Sequence, residues 1–462
     1  MRKQFVFLCL VLFSFLPGLP AQEKPESDVQ TREETKSIVE WQVDDFEYES
    51  IWGLDEEEDS TPSHASLTIP PFDWGWGLAF GNSESTTGIR FNLSDHHVKD
   101  VKGLNFTFWK PKQNPLYELK GFAFGLLGTN AAELHGIALT GFGPVAREMY
   151  GLSLGVVGNA FEEFRGINLA TASMIEKDST GLAVAALGQA GGDFTGINLA
   201  GLAQGGDDFT GINLAGLAQG GDDFTGINLA GIGQGGDDFT GLNVAGLGQG
   251  GDNFTGINVA GLGQGGDDFT GINLAGLGQG GHDFTGINVA GIGQGGDDFT
   301  GFNIAGLGQG GHDFMGLNIA GLGQGGHDFT GINVAGLGQG GFDFSGISVA
   351  GLGMGGHDFT GINVAGLGMG GHDFTGVNIA GLGIGGREIT GLGIGGATIW
   401  CDEFTGVGIG AVQHIRQKMT GLSIGIFNST EHLNGVQIGL INYVEDNPPW
   451  LKVLPLLNFH FD

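Results

Sequence analysis

A fifteen-residue phrase of the type F-T-G-I-N-V-A-G-L-G-Q-G-G-D-D is copied thirteen times without an insertion between Phe194 and Ile389. Phe opens each copy, at 194, 209, 224 and every fifteenth residue to 374. The Gly two residues later keeps that spacing outside the tract. It runs from Gly121 through Gly136, Gly151, Gly166 and Gly181, and again through Gly391, Gly406 and Gly421. Repetition on this scale means a small unit that cannot bury its apolar face alone and is stacked until it can. Such a stack grows in one dimension, so a length of 462 residues does not imply several separate cores.

In the copy from Thr210 to Phe224, Ile212 and Leu214 alternate with Gly211 and Asn213, which predicts a short strand. Leu217 leads into a second strand of small residues. Gly220-Gly221-Asp222-Asp223 reads as a turn, with Gly supplying positive φ and Asp bonding nearby backbone N–H groups. Helix is excluded, because so much Gly costs nearly 1 kcal/mol per residue against Ala. The fold class is therefore all-β, with two arrangements open. In the first, each fifteen-mer is one coil of a parallel β-solenoid, and like residues stack into Ile, Phe and Asn ladders. In the second, each is a strand and turn of an antiparallel meander closing into a β-barrel. The unvarying period, with no alternation of short and long turns, favours the solenoid. About 24 coils at about 4.8 Å each predict a rod somewhat over 100 Å long.

Degenerate copies flank the regular tract. Gly88-Ile89-Arg90-Phe91-Asn92-Leu93 alternates with period two, a half-buried strand, and Gly103 to Phe108 repeats it fifteen residues on. A three-residue slip between Lys112 and Tyr117 precedes Gly121. The expected organisation is a signal peptide (1–21), a flexible acidic leader (22–65), N-terminal degenerate repeats and cap (66–120), the tandem-repeat solenoid (121–445) and a C-terminal cap (446–462). Degenerate terminal coils protect strand edges that would otherwise template aggregation. The signal-peptide reading rests on basic Arg2 and Lys3, the apolar run Phe5 to Leu16, and Leu19-Pro20-Ala21 as a cleavage site. Cys9 lies inside that run, which leaves Cys401 alone and no intramolecular disulfide.

The chain carries 51 Asp and Glu against 18 Lys and Arg, a formal charge of −33. That balance makes nucleic acid and anionic membrane surfaces poor partners. Asp precedes Phe in nearly every central copy and is often doubled. Asp207, Asp208, Asp222, Asp223, Asp237 and Asp238 are therefore the candidate metal ligands, and Ca²⁺ is the candidate ion. In later copies the leading acid becomes His282, His312, His327, His357 and His372, and once Phe342. A site of six to eight oxygens does not accept that drift, so a turn-forming role explains the acids more simply. His312 with His327, and His357 with His372, lie one copy apart and, with the Asp that follows each, are candidate Zn²⁺ or Ni²⁺ ligands, without a third ligand outside the turns. The recurring Asn (Asn198, Asn213, Asn228 and onward, interrupted by Ser348) reads as a structural amide ladder. No Ser-His-Asp spacing, P-loop, CxxC or dinucleotide fingerprint in a βαβ context supports catalysis.

Gly435-Val436-Gln437-Ile438-Gly439-Leu440-Ile441-Asn442, the recurring G-(I/L)-x-(V/I/L)-x-G-L-G units and Gly103 to Lys112 together resemble a family of exported bacterial surface-repeat proteins of spirochaetes and Bacteroidetes. The resemblance spans about Gly88 to Phe461. It implies an envelope or cell-surface location and no site residues, and the acidic G-G-D-D-F turn departs from the family's more neutral turns. The expectation is a non-enzymatic exported protein, structural or adhesive, presenting an acidic turn face to an unidentified surface or protein partner. The alternative is an outer-membrane barrel acting as pore or anchor, the one arrangement in which membrane association is expected. A third reading is Ca²⁺-dependent folding.

Overall fold

The computed structural model describes residues 66–69, 77–112 and 114–461. The expected signal peptide and acidic leader lie outside the described residues. Those described form 35 strands and no helix, in two compact units, Met1–Asp207 and Asp208–Asp462.

In the second unit the pattern is an eight-residue strand followed by a three-residue one, beginning with β9 (Asp208–Ala215) and β10 (Ala218–Gly220). The next long strand, β11 (Asp223–Ala230), runs parallel to β9 and pairs like with like: Phe224 with Phe209, Asn228 with Asn213, Ala230 with Ala215. The short strands follow suit, and Gln219 pairs with Gln234 of β12 (Gly233–Gly235). The register holds through β31 (Asp373–Ala380) and into β33 (Glu388–Ile424). Each fifteen-mer is thus one coil of a parallel β-solenoid. Neighbouring repeats run in the same direction, so the antiparallel barrel is not formed.

The first unit obeys the same rule with irregular spacing. Strand β2 (Gly77–Gly81) pairs parallel with β3 (Ser85–Asn92), which pairs with β4 (Asp100–Thr107) and that with β5 (Glu118–Gly125). Gly77, Gly88, Gly103 and Gly121 stand in one column, so the coils lengthen from eleven to fifteen to eighteen residues. The stack therefore opens one coil before Gly88, where the repeat becomes readable. Antiparallel strands cover the outermost edges: β1 (Ser66–Ile69) lies on β2, and β35 (Val453–His460) lies on β34 (Phe427–Val444). Each removes the open edge of a terminal parallel coil.

The strands are half-buried, and at the Ile-Asn step the usual order is inverted, with the amide inside and the aliphatic outside. In β9, Phe209, Asn213 and Ala215 point inward, while Thr210 and Ile212 are exposed and Leu214 is half-buried. The inversion has a steric origin. Burying the Phe ring, the largest side chain of the coil, sets the parity. The next inward position is Gly211, whose φ is +119°, and the one after it is Asn213. Ile212 is thereby turned out. The Phe rings stack at 4.8 Å with planes within a few degrees from Phe239 to Phe329, one ring per coil.

A buried amide is tolerable only when both its ends are satisfied. Here each amide binds its counterpart in the next coil. Asn213 Nδ2 donates to Asn228 Oδ1 at 2.8 Å, and the row continues to Asn333. The Gln row runs the other way: Gln234 Nε2 donates to Gln219 Oε1 at 2.8 Å, and Gln249 to Gln234 likewise. The two rows of amide dipoles oppose each other, which limits the field either would build alone.

Ser348 breaks the Asn row. Its Oγ, Asn333 Nδ2 and Asn363 Oδ1 have no hydrogen-bond partner among the described residues. Ser348→Asn restores two links at a site whose neighbours already hold Asn. The expected gain is about 1–2 kcal/mol in urea unfolding. A neutral or destabilising result would mean that the row does not carry the stability assigned to it.

Candidate functional site

Two columns of side chains occupy the outer turn that leads into each Phe. Asp208, Asp223 and Asp238 stand beside one another in register, followed by Asn253. Like charges on adjacent strands repel, and Asn253 relieves one such contact, its Nδ2 donating to Asp238 Oδ1 at 2.6 Å. The carboxyl of Asp223 is held above its usual range. Burial is the first cause, and the charges of Asp208, Asp238, Asp222 and Asp237 add to it. The Gly pair before the acids does not take positive φ. That conformation belongs to the Gly column two residues after Phe, so the turn expectation is corrected on this point.

The raised value fixes a sign. Asp223 binds its proton more tightly folded than unfolded. The stability this confers is complete below the unfolded value near 3.8 and is lost as pH rises through the folded one. Asp223→Asn is accordingly expected to raise Tm by about 1–2 °C at pH 7 in low salt. The advantage should vanish near pH 3, where the wild-type acid is protonated. A gain that persists there would mean that repulsion is not its cause.

In later coils the leading acid gives way to rings. His312, His327, Phe342, His357 and His372 stack in succession with centroids 4.8, 5.0, 4.7 and 4.4 Å apart. The following Asp stays within reach: His312 Nδ1 lies 2.9 Å from Asp313 Oδ1, and the same atoms of His327 and Asp328, and of His357 and Asp358, are 2.8 Å apart. Arg387 occupies the leading position after His372 and pairs with Asp373 at 3.2 Å.

Among the described residues, two groups bring three ligand-type side chains together, their donor atoms within 4.8 Å of one another. One is His312, Asp313 and His327; the other is Asp343, His357 and Asp358. The first group is the expected His pair with the Asp that follows His312; the second keeps His357 with its following Asp358 but takes Asp343 of the preceding coil in place of His372. Parallel stacking puts Asp343 one coil from His357, an adjacency that linear spacing shows only once the register is known. Mixed imidazole and carboxylate donors suit Zn²⁺ or Ni²⁺ better than Ca²⁺. Neither group contains Asp207, Asp208, Asp222, Asp223, Asp237 or Asp238.

Two features lie away from the turns. In the first unit, Arg90 and Asp95 form a wholly buried ion pair, Nη1 to Oδ1 2.5 Å. Asp95 also accepts from Asn92 Nδ2 at 2.7 Å and Thr107 Oγ1 at 2.8 Å. Burial, with the Asp95 charge beside it, holds the Tyr117 phenol well above its usual range. In the second unit Cys401 is fully buried, and that burial pushes its thiol up to about 12. A thiol so placed is not a nucleophile at neutral pH.

Comparison of the chain with family models, with curated proteins and with solved structures returns no match.

Proposed function

We propose that this chain is an exported, non-enzymatic repeat protein with a structural or adhesive role at the cell surface. It works by displaying one pattern of side chains many times over. The observation that carries the reading is the register. From Phe209 to Phe374 the coils of the second unit keep one register, so the Asp before Phe (once Asn253), the Thr after it (once Met315, once Ser345) and the aliphatic residue three places on (once Phe302) each form a column. A surface built this way offers many equal contacts, each weak, to a partner that is itself extended or repetitive, and multivalency multiplies them. The basic and apolar N-terminal residues, and the likeness of Gly435 to Asn442 to surface-repeat proteins, support export.

The reading is tested on the native host. Mass spectrometry of the mature chain is expected to find a new N-terminus after Ala21, and an antibody to the repeat is expected to label intact cells. An uncleaved chain recovered with the cytosol would overturn the proposal.

A further inference from the structure

The same inversion that buries Asn turns aliphatic side chains outward on one side of every coil. In the second unit three columns are apolar: the positions three, five and eight residues after Phe. The last of these runs every fifteenth residue from Ile232 to Leu382, each member between 40 and 56 % exposed. Beside it, Ile257, Ile287, Ile332 and Ile362 are 42 to 44 % exposed, and the column between is mostly half-buried. The stripe is continuous over eleven coils, about 50 Å of axis. Isolated exposed aliphatics are ordinary, whereas a contiguous patch beyond about 300–600 Å² marks an interaction site.

We propose that this stripe is a self-association face, on which a second copy of the chain packs. Three observations single out that occupant. First, the Asp column stands on the outward face of the same long strands as the Ile column but four residues away, about 13 Å, so it borders the stripe without entering it. Two copies packed stripe to stripe keep their Asp columns at the margin of the contact, where water and salt screen the net charge of −33 per chain. Second, the repeat is commensurate only with itself. Knobs spaced at about 4.8 Å interlock over many coils with a partner of the same period, as in dry zipper interfaces between sheets. Third, a stripe about 50 Å long and roughly 15 Å wide offers about 800 Å² per copy, the size of a standard stable interface. The inference goes beyond the surface role and stands whichever compartment the chain occupies.

The test is the mass of the full-length soluble chain by analytical ultracentrifugation at micromolar concentration. Wild type is expected to sediment as two chains, more tightly associated in 0.5 M than in 0.05 M NaCl. The variant Leu277→Glu/Leu322→Glu places like charges in both stripes, and its dimer dissociation constant is expected to rise at least 100-fold. The control Gly280→Glu/Gly325→Glu adds the same charge on the short strand, away from the Ile face and where a Cβ meets nothing within 4 Å, and should leave association unchanged. Circular dichroism and melting confirm that each variant is folded. A wild-type monomer at tens of micromolar, or a Leu double variant that dimerises as well as wild type, would overturn the proposal. So would a monomer that binds phosphatidylcholine vesicles through Leu277 and Leu322, since the stripe would then serve lipid.

Discussion

Gly286→Ala is expected to cost about 3–5 kcal/mol or more, out of proportion to one methyl group. Gly286 has φ +115°, a region that L side chains rarely adopt, and a Cβ there would sit 2.3 Å from the carbonyl oxygen of Gly271 in the preceding coil. That oxygen belongs to backbone held in the ladder and has nowhere to retreat. The coils must separate locally, and in a stack where each coil is stabilised by its neighbours the loss spreads to both sides. Gly280→Ala is the matched control. Its Cβ would meet nothing within 4 Å, and its φ is not positive. That change should be neutral or stabilise by about 0.4–1 kcal/mol, through the unfolded chain. Chemical denaturation of the two variants side by side makes the comparison. Equal effects would mean that the close approach of Gly backbones does not govern the stack.

Arg90→Met is expected to destabilise the first unit by about 3–5 kcal/mol, because it strands the Asp95 carboxylate in an interior it shares with Asn92, Asn105 and Thr107. The Arg90→Met/Asp95→Leu double variant should recover most of that loss, since the cost lies in the unpaired charge. Urea unfolding of wild type, single and double variants closes the cycle. A single variant as stable as wild type would show that the pair is not held in a dry interior.

The periodicity of the sequence carries most of the architecture. Thirteen uninterrupted copies predict identical coils, and the eighteen-residue step from Gly103 to Gly121 is legible as a slip of three. The Phe and Asn ladders follow once parallel stacking is chosen. What the alternation cannot reveal is which of its two faces goes inside. Apolar-in is the ordinary rule, and Ile212 and Asn213 break it because the amide finds its partner fifteen residues away, a bond no local pattern displays. Arg90 hides for the same reason: it sits where an exposed residue of an alternating strand is expected, and Asp95, beyond the strand's end, folds back to meet it. The edge strands Ser66–Ile69 and Val453–His460 lie outside the repeat, so periodicity says nothing of their antiparallel direction. At the turns, the acids were visible, but the grouping of Asp343 with His357 required the register.

The central claim is that successive fifteen-mers stack in parallel along one axis, and spin-label distances test it most directly. Thr225, Thr285 and Thr360 are exposed and occupy the same point of their coils, four and nine coils apart. Labels at the first pair should lie about 19 Å apart and at Thr225 with Thr360 about 43 Å, a separation that grows in proportion to the number of coils. Distances that stop growing, or that shorten between the nearer and the farther pair, would contradict the stack.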